Sequence, residues 1–228
     1  MKLKEAARKI QRDSDKAYIC RVNWSFMDER IQVEYDKVVL DNNSSRILGD
    51  IYIQKGKDRN KKEYSKFTSS QYINSTHIFT GRRFLGLAVN TSKNPSITKL
   101  NLATEGNAQL WYSQSPSGEV LVFIGPYQSD CGEFLEKEII IGKYKNPSEV
   151  REKSINKHFS IFFKYCVCTS QHSASSLSSY LYRQYLIYND FRYKIENKQR
   201  LIKLIERIVT LGLGGLAVWA SLYAGGKI

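Results

Sequence analysis

Arg82 and Arg83 stand side by side at the start of a strand-like run, where planar guanidinium groups suit the oxygens of a phosphate in bidentate fashion. Between Lys55 and Lys66 the run KGKDRNKKEYSK carries six cations, among them Lys55, Lys57, Arg59, Lys61 and Lys62, and reads as an exposed loop between strands. Trp111 and Tyr112 offer rings on which a base could stack. These residues together are the candidate ligand site. The plainer alternative is solvated charge in the loop, an arginine pair on the surface and a tryptophan in the core.

Other chemistry finds no frame. Cys20, Cys131, Cys166 and Cys168 have no zinc-site spacing and read as free, largely buried thiols of a reducing compartment. His158 and His172 have no carboxylate placed to orient them. Glu133, Glu136 and Glu138 cluster around Lys137 without a matching histidine or second acid motif. Ser115-Pro116-Ser117-Gly118 is a turn and lacks the frame of a nucleophile elbow. Neither Gly81-Arg82-Arg83 nor Gly125-Pro126 has the strand–loop–helix setting of a phosphate cradle. The chain is therefore read as a non-enzyme with no metal and no cofactor.

The elements that must position these groups fall into four segments. Residues 1–16 read as a short basic helix. Residues 17–146 read as an antiparallel β domain, barrel or sandwich, with alternation in Ile31–Tyr35, Ile51–Ile53 and Phe84–Val89. Its clearest unit is 108–124, two strand-like runs around the turn SPSG, and Lys137–Gly142 closes it. Residues 147–207 read as a helical stalk: one helix opens near Pro147-Ser148-Glu149, and a second over 174–207 lacks glycine and proline.

Residues 208–226, IVTLGLGGLAVWASLYAGG, are 19 uncharged positions that follow the cations Lys194, Lys198, Arg200, Lys203 and Arg207. As a helix the run is about 28 Å long, near the hydrocarbon thickness of a bilayer. The chain carries a net charge of +13, and residues 143–228 hold 14 cations against 5 acids. The expectation is one C-terminal transmembrane helix with the preceding domain cytosolic. Thr210, Gly212, Gly214, Gly215, Ala217, Ser221 and Gly225 give that run a small-residue face suited to helix packing and homo-oligomers.

A β domain joined through a basic approach to the IVTLGLGGLAVWASLYAGG run resembles, in layout, the membrane effectors of bacterial nucleotide-signalling antiphage systems of the CBASS and Hailong type. That resemblance implies a tail-anchored, single-pass protein of the bacterial inner membrane that oligomerises into a ligand-gated pore. It also implies a nucleotide or oligonucleotide ligand sensed by the β domain and a partner enzyme that makes the signal. The alternatives are a membrane-tethered adaptor whose β domain binds a protein or nucleic acid, and a soluble nucleic-acid-binding protein with a buried C-terminal helix.

Overall fold

The computed structural model describes residues 2–56, 74–90, 100–132, 136–194, 196 and 203. The chain opens with α1, a 37-residue helix spanning Leu3–Val39. Ala17, Cys20, Trp24, Met27 and Ile31 recur every three or four residues and are all buried, which is the stripe a helix needs to sit on a core. The alternation in Ile31–Tyr35 belongs to this helix and not to a strand. Three apolar residues at two-residue spacing do not distinguish the two periods, whereas the run back to Ala17 does. A short helix, α2 (Asn42–Ile47), follows, capped by the Asp41 carboxylate on the Ser44 amide at 3.2 Å.

Eight strands come next: β1 (Ile51–Lys55), β2 (Ser75–Thr80), β3 (Arg83–Asn90), β4 (Leu100–Gly106), β5 (Gln109–Gln114), β6 (Val120–Gly125), β7 (Gln128–Ser129) and β8 (Ile139–Tyr144). They form an antiparallel five-stranded sheet in the order β1-β2-β5-β6-β8 and a three-stranded sheet in the order β3-β4-β7. The expected barrel does not close, because β1 and β8 stay as the two edges of the larger sheet. Helices cover its inner face: Ile78, Leu110, Tyr112, Val122 and Ile124 form one core with Trp24, Met27 and Ile31 of α1 and with the helix α3 (Glu152–Thr169) through Ile155, Phe159 and Phe162. Fully burying side chains such as Met27 and Ile31 contributes roughly 1.5–3 kcal/mol each.

The β5–β6 hairpin pairs from Gln109↔Gly125 to Gln114↔Val120, as the alternation and the SPSG turn lead one to expect. Its turn needs Gly118, which has φ +89° and whose absent Cβ would lie 2.6 Å from the Cβ of Cys20. The turn thus packs directly beneath α1.

The region read as a stalk of two helices holds α3 and a second helix that stops at Tyr188. A 3-10 turn at Pro147–Glu149, with the Asn146 side chain accepting from the Ser148 amide, leads into α3. Helix α4 (Leu177–Tyr188) starts on a Ser176 cap and stops where Asp190 turns the chain back onto β8. There the Ile140 amide donates to the Asp190 carboxylate, and the Phe191 amide donates to the Ile140 carbonyl at 3.2 Å. Residues 208–226, with Thr210, Gly212, Gly214, Gly215, Ala217, Ser221 and Gly225, lie outside the described residues. Among the described residues no helix is long and apolar enough to cross a membrane. α1 has the length but carries Lys4, Arg8, Lys9, Arg12, Asp13 and Asp15 in its first half alone. The expected tail-anchored, single-pass inner-membrane protein is accordingly set aside.

Candidate ligand cleft

The residues singled out for phosphate and base binding do not converge. Lys55 ends β1 and pairs with Asp28 of α1 at 3.3 Å, while Asp28 also accepts from Thr76 of β2 at 2.5 Å. That arrangement ties the helix to the sheet. Lys57, Arg59, Lys61 and Lys62 lie outside the described residues. Arg82 is exposed, and its charge helps hold the Asp130 carboxyl below its usual range, after the larger effect of the Asp130 hydrogen bonds to Thr104.

Arg83 is committed to the fold. Its guanidinium forks onto Glu105 of β4, donates to the Ile47 carbonyl at 2.9 Å and to Ser170 at 2.6 Å, and lies 5.5 Å from the centre of the Tyr127 ring. Glu105 is buried and its second oxygen accepts from the Gln171 amide at 2.9 Å. One ion pair therefore joins the small sheet, α2 and the end of α3.

Tyr112 is also in the core. Its hydroxyl lies 3.1 Å from Nδ1 of His158, and the Tyr144 hydroxyl lies 3.0 Å from Nε2 of the same ring. A neutral imidazole has one N–H and one lone pair, so one tyrosine donates to the ring and the other accepts from it. Burial first, and the charge of Lys157 second, push the His158 pKa down to about 4. Both ring nitrogens are occupied, and the ring is sealed from ligands.

Among the described candidate residues Trp111 alone lines this cleft, and it does so from the opposite face of the same sheet. His77 and Phe123 flank its ring in parallel planes, with centroids 6.2 Å and 5.0 Å away. Its faces are thus occupied by neighbours, and the ring presents its edge. The cleft, of about 450 Å³, lies where the two sheets meet and is also lined by Asn107, Gln109, Gly125, Gln128 and the segment Glu136–Glu138. Pairing of Gly106 with Gln128 brings β7 alongside the end of β4, which sets Gln128 beside Asn107. Asn107 turns the chain between β4 and β5 at φ +58°, a conformation asparagine tolerates, and its amide donates to Gln128 Oε1 at 3.2 Å.

The two acids of the cleft are held from behind. Arg183 of α4 pairs with Glu136 at 3.1 Å, and Arg192 pairs with Glu138 at 3.6 Å. Lys137, exposed between them, makes no ion pair among the described residues. The result is a polar recess with three amide side chains, a tryptophan edge, two charge-balanced carboxylates and one cation.

Of this lining, Trp111 carried a signal in the sequence as a candidate stacking ring, and Glu136, Lys137 and Glu138 as a charge cluster without a partner. Asn107, Gln109 and Gln128 had none, because they meet through strand pairing and not through spacing along the chain. Among the described residues no group of His, Cys, Asp and Glu is arranged to hold a metal ion. Cys166 is buried and burial pushes its thiol up, away from the thiolate.

Comparison of the chain with known protein families, with curated proteins and with solved structures finds no match in any of the three.

Proposed function

We propose that this protein is a ligand-recognition module whose cleft beside Trp111 takes a nucleoside-bearing ligand. One observation carries the reading: the amides of Asn107, Gln109 and Gln128 converge with Lys137 on a recess walled by an aromatic edge. Amide side chains present donor and acceptor together, which matches the alternating edge of a nucleobase. Glu136 and Glu138, each balanced by an arginine, suit the hydroxyls of a sugar, and Lys137 suits a phosphate attached to it. Arg82, Arg83 and Tyr112 take no part in this reading.

The test is isothermal titration of the full chain with the common nucleosides and their mono- and diphosphates. Saturable binding weakened at least about tenfold by Gln109→Leu, a loss of about 1.4 kcal/mol, supports the cleft. The absence of binding by any member of the panel at millimolar concentration overturns it. Tighter binding of the phosphates than of the nucleosides, lost in Lys137→Ala, would add the phosphate to the ligand's chemistry.

A second reading, an adaptor that holds a protein partner, has its own support. Leu177, Leu181, Tyr185 and Tyr188 form an exposed row along α4 at spacings of three and four residues. Under that reading Leu181→Glu abolishes partner capture and leaves nucleoside titrations unchanged.

A further inference from the structure

We infer that the cleft beside Trp111 takes ribonucleosides in preference to their deoxy forms, with Glu136 and Glu138 accepting from the two vicinal hydroxyls of the sugar. This inference rests on the nucleoside reading of the cleft and names the sugar which that site selects.

The floor of the cleft is a missing side chain. Gln109 of β5 lies opposite Gly125 of β6. The β6–β8 register, Phe123↔Ile140 and Ile124↔Ile139, carried one residue further sets Glu138 on the other side of the same glycine. Gln109 and Glu138 therefore flank Gly125 from positions two strand spacings apart, roughly 9.6 Å. The Trp111 ring closes another side, 3.4 Å from where a Cβ of Gly125 would stand. A ligand lying over the glycine thus meets an amide on one side and a carboxylate on the other. That is the order of groups in a nucleoside, whose base edge matches an amide and whose sugar carries hydrogen donors.

Charge decides which donors. A bare pair of carboxylates would call for a cation. Here Arg183 lies 3.1 Å from Glu136 and Arg192 lies 3.6 Å from Glu138, so the pull on a further cation is already offset. What remains is the capacity to accept hydrogen bonds. On Glu136, Oε1 faces Arg183 and Oε2 accepts from the Tyr165 hydroxyl at 3.5 Å, which uses only part of the acceptor capacity of an ionised carboxylate. Neutral hydroxyls fit that capacity. Two acids at alternate positions of one segment, both lining the cleft, ask for two such donors side by side. Ribose offers them at its 2′ and 3′ carbons, and a deoxyribose offers only one of the two. The lost hydroxyl leaves a desolvated, charged acceptor without its partner, which is how a site built for a hydroxyl rejects the analogue lacking it.

Isothermal titration of the full chain with the common ribonucleoside 5′-monophosphates, each beside its 2′-deoxy and 3′-deoxy forms, tests this. The ribonucleotide that binds best should outbind both of its deoxy forms by about tenfold or more. Glu138→Leu should abolish the preference over one deoxy form and keep the preference over the other, because each acid serves one hydroxyl. Its melting should be unchanged: the Glu138 side chain is 47% exposed, and Arg192 keeps Asp190 at 2.8 Å. Deoxy forms that bind as well as the ribonucleotide would overturn the inference and leave the nucleoside reading standing. So would a Glu138→Leu variant that keeps both preferences, or one that weakens all three forms equally. Absence of binding by every member of the panel would overturn both.

Discussion

On the inner face of the five-stranded sheet a histidine lies between two tyrosines with both ring nitrogens hydrogen-bonded. On the outer face another histidine stacks on a tryptophan at the mouth of a cleft. Trp111 and Tyr112 are neighbours in the chain, and the two-residue period of a strand sends them to these opposite faces. The inner set is closed: every polar atom of the His158 ring has a partner, and the imidazole stays neutral. The outer set is open along one edge, and its polar neighbours, Gln109 and Asn107, keep hydrogen-bonding capacity for something else. Similar aromatic residues thus serve a core on one side and a recess on the other, and what separates them is whether their polar atoms are fully used.

The strongest way to break that contrast is truncation. Tyr112→Ala should destabilise the fold by about 3–5 kcal/mol, because it leaves a cavity and strips His158 of one partner. Trp111→Ala, on the half-buried face, should cost no more than about 2 kcal/mol, and urea unfolding of the two variants compares them directly. Equal losses would erase the distinction between the faces.

Acid comes next in size. The folded-state pKa of His158, about 4, lies below the imidazole's ordinary value of 6.5, so the fold prefers the neutral ring. Its contribution is complete above the higher value and is lost as pH falls towards the lower one. The loss should reach roughly 3 kcal/mol across that window. His158→Gln should flatten this slope, and an NMR titration of the ring should show a midpoint near 4; a midpoint near 6.5 would mean that the ring is not sealed.

Two glycines sharpen the comparison at a finer scale. A Cβ at Gly142 on β8 would meet His158 Nε2 and Val122 at 3.2 Å and Tyr144 at 3.1 Å, so Gly142→Ala should cost about 1–2 kcal/mol. A Cβ at Gly125 would rest on Trp111 at 3.4 Å, an ordinary contact, and Gly125→Ala should change stability by less than about 1 kcal/mol while narrowing the cleft. Thermal melts of both variants, with nucleoside titration of the second, check this pair. The smallest effect belongs to Lys137→Ala, which should move stability by no more than about 0.5 kcal/mol and act only on ligands that carry a phosphate.

The hairpin from Gln109 to Gly125 was legible because its alternation runs unbroken on both sides of a turn rich in serine, proline and glycine. The start of the helical region at Pro147 was legible from proline and an acid at a helix entrance. Only the start of α1 was legible, as the basic helix of residues 1–16; its continuation to Val39 was not, since Asp28 and Glu34 interrupt its buried side and the short alternation at Ile31–Tyr35 imitates a strand. The two acids are tolerated there because Thr76 and Lys55 satisfy the first and Lys37 the second. Arg83 looked like a ligand group because nothing nearby in the chain neutralises it; its partner Glu105 comes opposite only through the β3–β4 register. The cleft was hard to read for the same reason, as the β4–β5 turn, β5, β6, β7 and the approach to β8 each supply a part.

The pairing of Arg83 with Glu105 also constrains how this chain can change over generations. Because Glu105 is buried and bound from two elements, losing either partner alone leaves a charge without its counterpart, at a cost of about 3–5 kcal/mol. Single substitutions at either position therefore lead into a valley of unfolded descendants, and only a double change to two apolar residues of matching volume crosses it. Among chains descended from a common ancestor, positions 83 and 105 should be inherited, and replaced, as a couple.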